Sequence, residues 1–385
     1  MAETVNAWLG AASLALALAG CVYALGATLA VRRFAGDNGA ADGAFPGVSI
    51  LKPLSGITLG LHENLASFCD QDYGGSVQVL FGVQTADDAA VDLVERLIAE
   101  RPGRDLELVL HVADRGSNPK IANLAGLERR IRHEVVIIAD ADIAVPPDYL
   151  QRTVAALHLP EVGAVTFLYR GVARGGFWSQ LATMAIDYHF LPSVLVGITL
   201  GLARPCFGST IALRRETLAM IGGFSAVADR IADDYAIGAA VRAAGMKVAI
   251  PSMVLEHACS EQTAMELLRH ELRWARTVRA VNPLGYAGLI VAHPLPFAIL
   301  AAALTAGALG MAMIALAVGV RLVLQLQVDH TLGVRSDRRW LGPVRDLLAF
   351  GVYVAGFFVN VVDWRGRRYR IRSDGTLIAL GEPKA

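Results

Sequence analysis

Charged residues are scarce in this chain, making up 18% of its 385 residues, whereas soluble domains contain about 25%. The shortage is concentrated toward the two ends, and 54% of all residues are hydrophobic. The formal net charge is zero, so no overall positive field favours nucleic acid as a partner. The composition therefore predicts membrane spans on both sides of a soluble region and no binding of nucleic acid.

Cysteine is also scarce. The four cysteines are scattered, and no two of them have the spacing of a zinc site or a redox pair. Reduced thiols in a domain that faces the cytosol are the simplest interpretation of this pattern. The residues are Cys21, Cys69, Cys206 and Cys259.

The N-terminal segment carries no charge from Ala7 to Val31, which is long enough for a helix to cross about 30 Å of hydrocarbon. A secretory signal peptide would begin with basic residues and have a shorter apolar core. Arg32 and Arg33 follow the run, and the positive-inside rule places them in the cytoplasm. We predict a transmembrane helix over residues 7–31, in the inner (cytoplasmic) membrane, with the next domain facing the cytoplasm.

Short apolar runs alternate with amphipathic segments over residues 46–281, after a linker at 36–46. This alternation predicts a Rossmann-like α/β domain with a mostly parallel sheet and ligands at the carboxyl ends of its strands. The strand candidates are Val48–Leu51, Val77–Val83, Leu106–Val112, Val135–Ala139, Val162–Tyr169 and Ser209–Leu213. The helix candidates are Gly60–Asp70, Asp88–Arg101, Ile121–Arg132, Pro147–Leu157 and Asp233–Ala244.

The C-terminal region, residues 284–362, is predicted to lie in the membrane as two or three hydrophobic segments, which makes the protein multi-pass. Leu284–Val320 carries no charge apart from His293, and it fits either one long tilted span or a hairpin that turns near Gly307–Gly310. The basic loop that follows favours the hairpin. Leu347–Val362 is a shorter apolar run. The basic loop between these two hydrophobic runs contains Arg335, Arg338, Arg339 and Arg345.

Two further segments suit a membrane surface. Leu181–Pro205 is apolar and fits a helix or loop near the entrance for an acceptor, although core packing explains it equally well and a span is open. The tail, residues 363–385, begins with the basic and aromatic stretch Trp364–Arg370, a composition that suits lipid headgroups.

Asp140 and Asp142 follow the buried run Val135–Ala139 directly. Two carboxylates one residue apart at a strand end can hold one hard divalent cation, and such a cation can carry a diphosphate. We predict Mg²⁺ or Mn²⁺ bound by Asp140 and Asp142, with Asp140 also facing the donor. A helix cap and turn before Pro146 is the alternative.

Asp233 and Asp234 begin a helical stretch, where both carboxylates could simply cap the helix. We predict that Asp234 is a general base, because the helix would fix its direction and partial burial would raise its pKa. Arg273 is predicted to contact a diphosphate and Trp274 to pack by the acceptor or sugar. The alternative for the segment that contains Arg273 and Trp274 is a basic amphipathic helix on anionic lipid.

Lys52 ends the first strand, and Lys120 follows Asn118 and Pro119 before a helix. Each lysine is predicted to contact the phosphate or ribose of a donor, and a solvated loop charge is the alternative. Asp88, at another strand end, could accept a hydrogen bond from a nucleobase or ribose, or could cap the next helix. A lone histidine such as His257 is more often not a metal ligand.

Several motifs together resemble the ceramide glucosyltransferase family, which has the GT-A fold and inverts anomeric configuration. The similarity covers nearly the whole chain, including the N-terminal span and the C-terminal hydrophobic segments. It rests on Val48–Leu54, Gly116–Ile121, the aspartates at Asp140 and Asp234, and Arg273-Trp274.

The resemblance implies a UDP-sugar donor, with Asp88 on the nucleotide side, Asp142 at the metal and diphosphate, and Asp234 as base. In the family, a Gln or Arg stands three positions before the Arg-Trp pair. Here His270 stands there, and we place it among the donor-binding residues.

Within the family, three stretches are similar to bacterial glycosyltransferases associated with hopanoid biosynthesis: Glu63–Cys69, Gly201–Gly208 and Arg269–Ala280. This similarity implies transfer of N-acetylglucosamine from UDP-N-acetylglucosamine to the lipid bacteriohopanetetrol. A ceramide glucosyltransferase that uses UDP-glucose is the alternative. A processive polysaccharide synthase and a non-catalytic sugar-nucleotide-binding membrane protein are rivals of other classes. A transporter is disfavoured by about 230 residues of strand–helix alternation.

Overall fold

The computed structural model of the protein describes residues 2–34, 45–110, 116–305, 308–334, 338–364, 367–372 and 375–380. It forms two compact units. The sheet unit comprises residues 37–176, 205–260 and 363–385, and the helical unit comprises residues 1–36, 177–204 and 261–362. The predicted continuous domain over 46–281 is therefore divided between the two units, and its assignment as the soluble domain stays a prediction.

The described residues form thirteen strands and fourteen α-helices. The strands are β1 (Val48–Pro53), β2 (Val77–Val83), β3 (Asp105–Leu110), β4 (Val135–Ala139), β5 (Ile143–Ala144), β6 (Val162–Thr166), β7 (Leu168–Ala173), β8 (Thr210–Arg214), β9 (Lys247–Ala249), β10 (Val254–Cys259), β11 (Val361–Trp364), β12 (Arg367–Ile371) and β13 (Leu377–Ala379). The helices are α1 (Ala2–Phe34), α2 (Leu61–Cys69), α3 (Ala90–Ala99), α4 (Pro119–Leu127), α5 (Tyr149–Leu157), α6 (Phe177–Ala185), α7 (Leu191–Thr199), α8 (Arg215–Met220), α9 (Asp233–Ala243), α10 (Ala264–Val281), α11 (Pro283–Gly288), α12 (Pro294–Thr305), α13 (Ala308–Leu332) and α14 (Gly342–Ala355).

The central sheet of the sheet unit has the order β3-β2-β1-β4-β8-β6-β9. Its pairs are parallel except around β8, which runs antiparallel to both β4 and β6. Every residue of the central strand β4 is buried, as expected for a Val- and Ile-rich strand that helices cover on both faces. The predicted mostly parallel α/β fold is confirmed.

The predicted single strand Val162–Tyr169 is wrong in one respect, because the chain changes sheets within it. Strand β6 ends at Thr166, and β7 starts at Leu168 in a second sheet of order β5-β10-β7. Strands β9 and β10 were not predicted. The predicted strand Leu106–Val112 is found as β3, and its last two residues lie outside the described residues.

The predicted helices of the sheet unit are found with shifted ends. The start of α4 shows how the sequence sets one of them. The side chain of Asn118 accepts hydrogen bonds from the N–H groups of Lys120 and Ile121, and Pro119 occupies the first turn. Asn at the cap and Pro at the first helical position are the residues that favour a helix start.

Among the described residues of the helical unit, three helical segments are long and apolar enough to cross a membrane: Thr4–Phe34, Phe177–Thr199 and Ala308–Leu332. Phe177–Thr199 contains a π-helical turn at Ile186–Phe190, between α6 and α7. Pro283–Ala292 and Pro294–Thr305 form a further apolar pair, bent by 59°.

The two-span hairpin over Leu284–Val320 stays a prediction. After α11, the described part of this stretch contains α12 and α13 as separate helices. They pack closely, since a Cβ added at Gly310 would lie 2.4 Å from the Cα of Ala302. Residues 306–307, part of the predicted turn, lie outside the described residues. The run Leu347–Val362 is not one segment, because α14 ends at Ala355 and β11 begins at Val361.

The tail that was predicted to suit lipid headgroups forms strands. In β12 the side chains alternate, with Tyr369 and Ile371 buried and Arg368 and Arg370 exposed. Its affinity for lipid stays a prediction.

A buried ion pair lies among the helices of the helical unit. The guanidinium of Arg321 on α13 donates three hydrogen bonds of 2.8–3.1 Å to the carboxylate of Asp346 on α14. His189 Nε2 lies 3.1 Å from the same carboxylate. Because charges in an apolar setting are costly unless they are paired, this contact ties α13, α14 and the π-helical turn together.

We expect Asp346→Ala to destabilise the helical unit by about 3–5 kcal/mol, since it leaves the buried Arg321 charge without its partner. Thermal unfolding of the detergent-solubilised protein measures the effect. Val344→Ala, at an exposed position of the same helix, is the matched control. Equal melting temperatures for the two variants would contradict the expectation.

Candidate active site

An ion-paired lysine lies at the carboxyl edge of the central sheet. Lys120, in the first turn of α4, places its Nζ 2.7 Å from Oδ1 of Asp140 and 3.4 Å from Oδ2 of Asp233. Asp140 follows β4, and Asp233 begins α9. Burial alone would lower the pKa of Lys120, but Asp140 and Asp233 more than offset it and raise the pKa above its ordinary value. The lysine therefore stays protonated and joins three elements.

Lys52 lies beneath the same turn. Its side chain is fully buried, its Nζ donates to the main-chain carbonyl of Asp140 at 2.6 Å, and it lies 3.8 Å from the centre of the Phe68 ring. Burial lowers the pKa of Lys52 to about 7. This position suits support of the Asp140 turn, and the predicted contact with the donor stays a prediction.

The predicted base, Asp234, lies in the first turn of α9. Its Oδ2 accepts a hydrogen bond from the N–H of Gly208 at 2.8 Å, and its Oδ1 accepts one from the N–H of Tyr235 at 2.7 Å. Burial, and after it the neighbouring charge of Asp233, raises the pKa of Asp234 to about 6. The carboxylate is therefore fixed in direction and is a better proton acceptor than an ordinary aspartate.

Gly208 lies at the centre of these groups. A Cβ built on it would lie 3.1 Å from Lys120 Nζ and 3.3 Å from both Asp140 Oδ2 and Asp234 Oδ2. The structure thus brings together Lys120, Asp140 and Asp234, which the sequence analysis chose separately. Gly208 was missed because a single glycine carries no signal of its surroundings.

Asp142 contacts His257, which was not predicted to belong to the site. His257 on β10 has its Nε2 3.4 Å from Oδ2 of Asp142, and its ring stacks on Tyr169 with centroids 5.3 Å apart. Burial would lower the pKa of His257, but Asp142 raises it well above its ordinary value. Strand β10 was not predicted, so the sequence held no sign of this pair.

The donors around Asp142 fit part of a metal site. Among the described residues, no three His, Cys, Asp or Glu side chains form a complete site. The side chains of Asp140 and Asp142 are 33% and 42% exposed, so a ligand can reach them. Two carboxylates are oxygen ligands that Mg²⁺ and Mn²⁺ accept, and a bound diphosphate and water could complete the set.

Asp88 makes local backbone contacts. Its carboxylate accepts hydrogen bonds from the N–H groups of Gly56, at 2.9 and 3.0 Å, and Ala90, at 2.9 Å. It therefore closes a loop and caps the start of α3, which is the alternative considered for it. A contact with a nucleoside stays a prediction.

The remaining predicted residues lie on α10 in the helical unit. His270 Nδ1 is 2.5 Å from Oε1 of Glu261, and its ring meets Trp274 edge-on with centroids 4.5 Å apart. Trp274 also contacts the ring of Phe190. Arg273 is half-buried on the same helix. Glu261 and Phe190 fix the orientation of His270 and Trp274, and neither was found from the sequence.

Comparison with solved structures agrees with the predicted fold. The mannosyltransferase PcManGT of Pyrobaculum calidifontis, solved with GDP-Man and Mn²⁺, superimposes with a TM-score of 0.53 and 20% identity. The match covers 91% of this chain and 99% of that one. The chain therefore has the GT-A fold.

The chain belongs to glycosyl transferase family 21, whose model matches residues 12–377. It is 27% identical over 255 residues to ceramide glucosyltransferase 1 of Caenorhabditis elegans, which is 66% of this chain and 53% of that protein. It is 32% identical over 116 residues to the ceramide glucosyltransferase of Komagataella phaffii, 29% and 23% of the two chains. The chain thus matches about half the length of the first of these relatives.

We expect Gly208→Ala to lower turnover about 10-fold or more, because the added methyl group would displace the Lys120, Asp140 and Asp234 side chains. Gly103→Ala, where a Cβ meets nothing within 4 Å, is the control. Turnover and melting temperature of both variants are measured. A Gly208→Ala variant with wild-type turnover would show that these side chains are not crowded during the reaction.

Proposed function

We propose that this chain is an inverting glycosyltransferase that moves a sugar from a UDP-sugar to the hydroxyl group of a membrane lipid. The observation that carries the proposal is the fixed carboxylate of Asp234 beside Lys120 and Asp140 in a chain of family 21. The curated relatives that match it are ceramide glucosyltransferases, which supports a lipid acceptor.

Asp234 is the general base of the proposed reaction. The acceptor oxygen forms a bond to the anomeric carbon, the bond from that carbon to the diphosphate oxygen breaks, and Asp234 takes the hydroxyl proton. UDP leaves with the bonding electrons. A pKa of about 6 keeps Asp234 ionised at neutral pH while making it basic enough to assist the attack.

Asp140 and Asp142 would hold Mg²⁺ or Mn²⁺, and His257 would orient the Asp142 carboxylate through its contact with Oδ2. When bound, the cation supplies Lewis-acid stabilisation of the departing diphosphate. Lys120 holds the Asp140 carboxylate in place and adds positive charge at the same edge of the sheet. Lys52 fixes the backbone of the turn that presents both carboxylates.

The other predicted contacts complete the proposal. Asp88 faces the nucleoside, Arg273 neutralises the leaving diphosphate, and Trp274 packs by the acceptor or sugar, with His270 on the donor side. The fixed orientation of His270 and Trp274 within the helical unit supports the roles proposed for these two residues.

We further propose N-acetylglucosamine as the sugar and bacteriohopanetetrol as the acceptor, with the enzyme in the inner membrane and its sheet unit in the cytoplasm. The three stretches similar to hopanoid-associated glycosyltransferases support the substrates, and Arg32-Arg33 after the first apolar helix supports the orientation. The apolar helices serve both as anchor and as a route for the lipid.

The substrates are tested with the purified, detergent-solubilised protein and Mg²⁺. UDP-glucose or UDP-N-acetylglucosamine is supplied with bacteriohopanetetrol or ceramide, and products are identified by mass spectrometry. One added N-acetylhexosamine on the hopanoid supports the full proposal. One hexose on ceramide would retain the mechanism and replace both substrates, and a ladder of added sugars would indicate a processive synthase.

We expect Asp234→Asn to lower kcat by about 10²- to 10⁴-fold, because the amide cannot accept the proton. Binding of UDP, measured by calorimetry, remains. Asp92→Asn, at an exposed position of α3, is the control. Loss of UDP binding together with turnover would assign Asp234 to the donor site instead.

The pH dependence has a defined sign. The base works when deprotonated, so kcat/KM should reach a plateau above about pH 7, be half-maximal at the pKa of Asp234, about 6, and fall about 10-fold per pH unit well below it. The rate of transfer between pH 4.5 and 8 measures this limb. A profile that is flat down to pH 4.5 would remove Asp234 from the role of base.

Metal binding has a readout that is independent of turnover. We expect His257→Gln to weaken the affinity for Mn²⁺ about 10- to 100-fold, measured by the loss of the free-Mn²⁺ paramagnetic resonance signal on titration. His158→Gln, on the exposed end of α5, is the control. Wild-type affinity in the His257 variant would show that the contact between His257 and Asp142 does not orient a metal ligand.

A further inference from the structure

The C-terminal strand β13 has backbone partners on both of its edges. One edge pairs with β12 in antiparallel register. On the other edge, the N–H of Leu377 donates to the carbonyl of Asp229 at 2.8 Å, and the N–H of Ile231 donates to the carbonyl of Gly375 at 3.1 Å. Arg230 and Thr376 face each other between these bonds. Residues 229–231 therefore act as a short additional strand.

Residues 229–231 lead directly into the acid pair at the start of α9. The same segment is tied to α4, because the side chain of Asn118 donates to the carbonyl of Arg230 at 2.8 Å and to Oδ1 of Asp233 at 3.3 Å. The carboxylate of Asp229 accepts a hydrogen bond from the N–H of Ser117 at 2.7 Å. The segment thus lies between β13 on one side and the cap of α4 on the other.

The direction of the Asp234 carboxylate depends on where α9 begins. Asp233 and Asp234 form its first turn, and a helix start is fixed by the backbone that leads into it. The carbonyl of Asp229 takes its partner from β13, and the N–H of Ile231 takes its partner from Gly375 just before β13. Removing β13 would leave both groups to water, and the backbone before the acid pair would gain freedom.

We propose that β13 is a positioning element for the acid pair: its pairing with residues 229–231 sets the start of α9, and with it the aim of Asp234. The inference rests on the proposed function, in which Asp234 is the base. Residues at the far C-terminal end of the chain therefore take part in the alignment of the base without touching substrate.

The strand register provides a matched pair of variants. The N–H of Leu380 donates to the carbonyl of Arg368, and the N–H of Arg372 donates to the carbonyl of Thr376. In this antiparallel register the N–H groups of Leu377 and Ala379 point away from β12. Leu377→Pro removes the bond to Asp229. Ala379→Pro introduces a proline on the same edge of β13, two positions further along the chain and at an exposed site. Leu377→Ile retains the N–H group.

We expect Leu377→Pro to lower kcat about 10-fold or more with a smaller change in the KM for UDP-sugar, because alignment of the base is lost. Leu377→Ile and Ala379→Pro should retain turnover. Full-length wild-type enzyme is the reference. A wild type without sugar transfer would defeat the proposed function, whereas an active wild type with equal kcat in both proline variants would defeat only the positioning role.

A crosslink gives a second test that does not depend on how Leu377→Pro folds. Arg230 and Thr376 form a non-hydrogen-bonded antiparallel pair, in which the Cα atoms are about 4.5 Å apart, within the range of a disulfide. The native cysteines are buried. Arg230→Cys with Thr376→Cys, oxidised by copper phenanthroline, should crosslink and stay active, and the crosslink should restore turnover to Leu377→Pro until reductant is added. Failure to crosslink, or a crosslinked enzyme without activity, would overturn the proposal.

Discussion

The buried ammonium group of Lys120 is the interaction on which the candidate site depends. It pairs with Asp140 after β4 and Asp233 at the start of α9, so one charge holds a strand end and two helix starts together. A buried cation is tolerated only where carboxylates surround it, and the carboxylates in turn stay close only because the cation is there. Gly208 leaves the space that this arrangement needs. The side chains proposed to act at the donor are therefore also the ones that hold these elements together.

Most of the sheet and part of the site could be predicted from the amino-acid sequence for one physical reason. Buried runs such as β2 and β4 have a local pattern, and residues at their ends, such as Asp140, lie at the carboxyl edge of any parallel sheet. His257 could not be found in this way, because it reaches Asp142 only through the pairing of β10 with β5 and β7, far apart in sequence. The division at Phe167 between β6 and β7 likewise depends on long-range pairing.

The helical unit shows the same dependence on pairing in an apolar setting. Its composition predicted apolar helices, and three of its described segments are long and apolar enough to cross a membrane. Composition alone does not predict that Arg321 and Asp346 meet, since the two residues are on different helices. Charges inside apolar helices find partners or are not tolerated, so each such residue restricts how the helices can pack.

The order of segments along the chain bears on how the protein is made. The sheet unit is interrupted twice, by residues 177–204 and 261–362 of the helical unit. Strands β8, β9 and β10 are thus synthesised after the first interruption and β13 after the second, while domains usually fold as units from the N-terminal end. Until β8 has been synthesised the sheet is incomplete, and β4 lacks its partner on one edge. An apolar strand edge without its partner favours aggregation, so the helical segments that interrupt the sheet unit and the remaining strands have to be added without long delay.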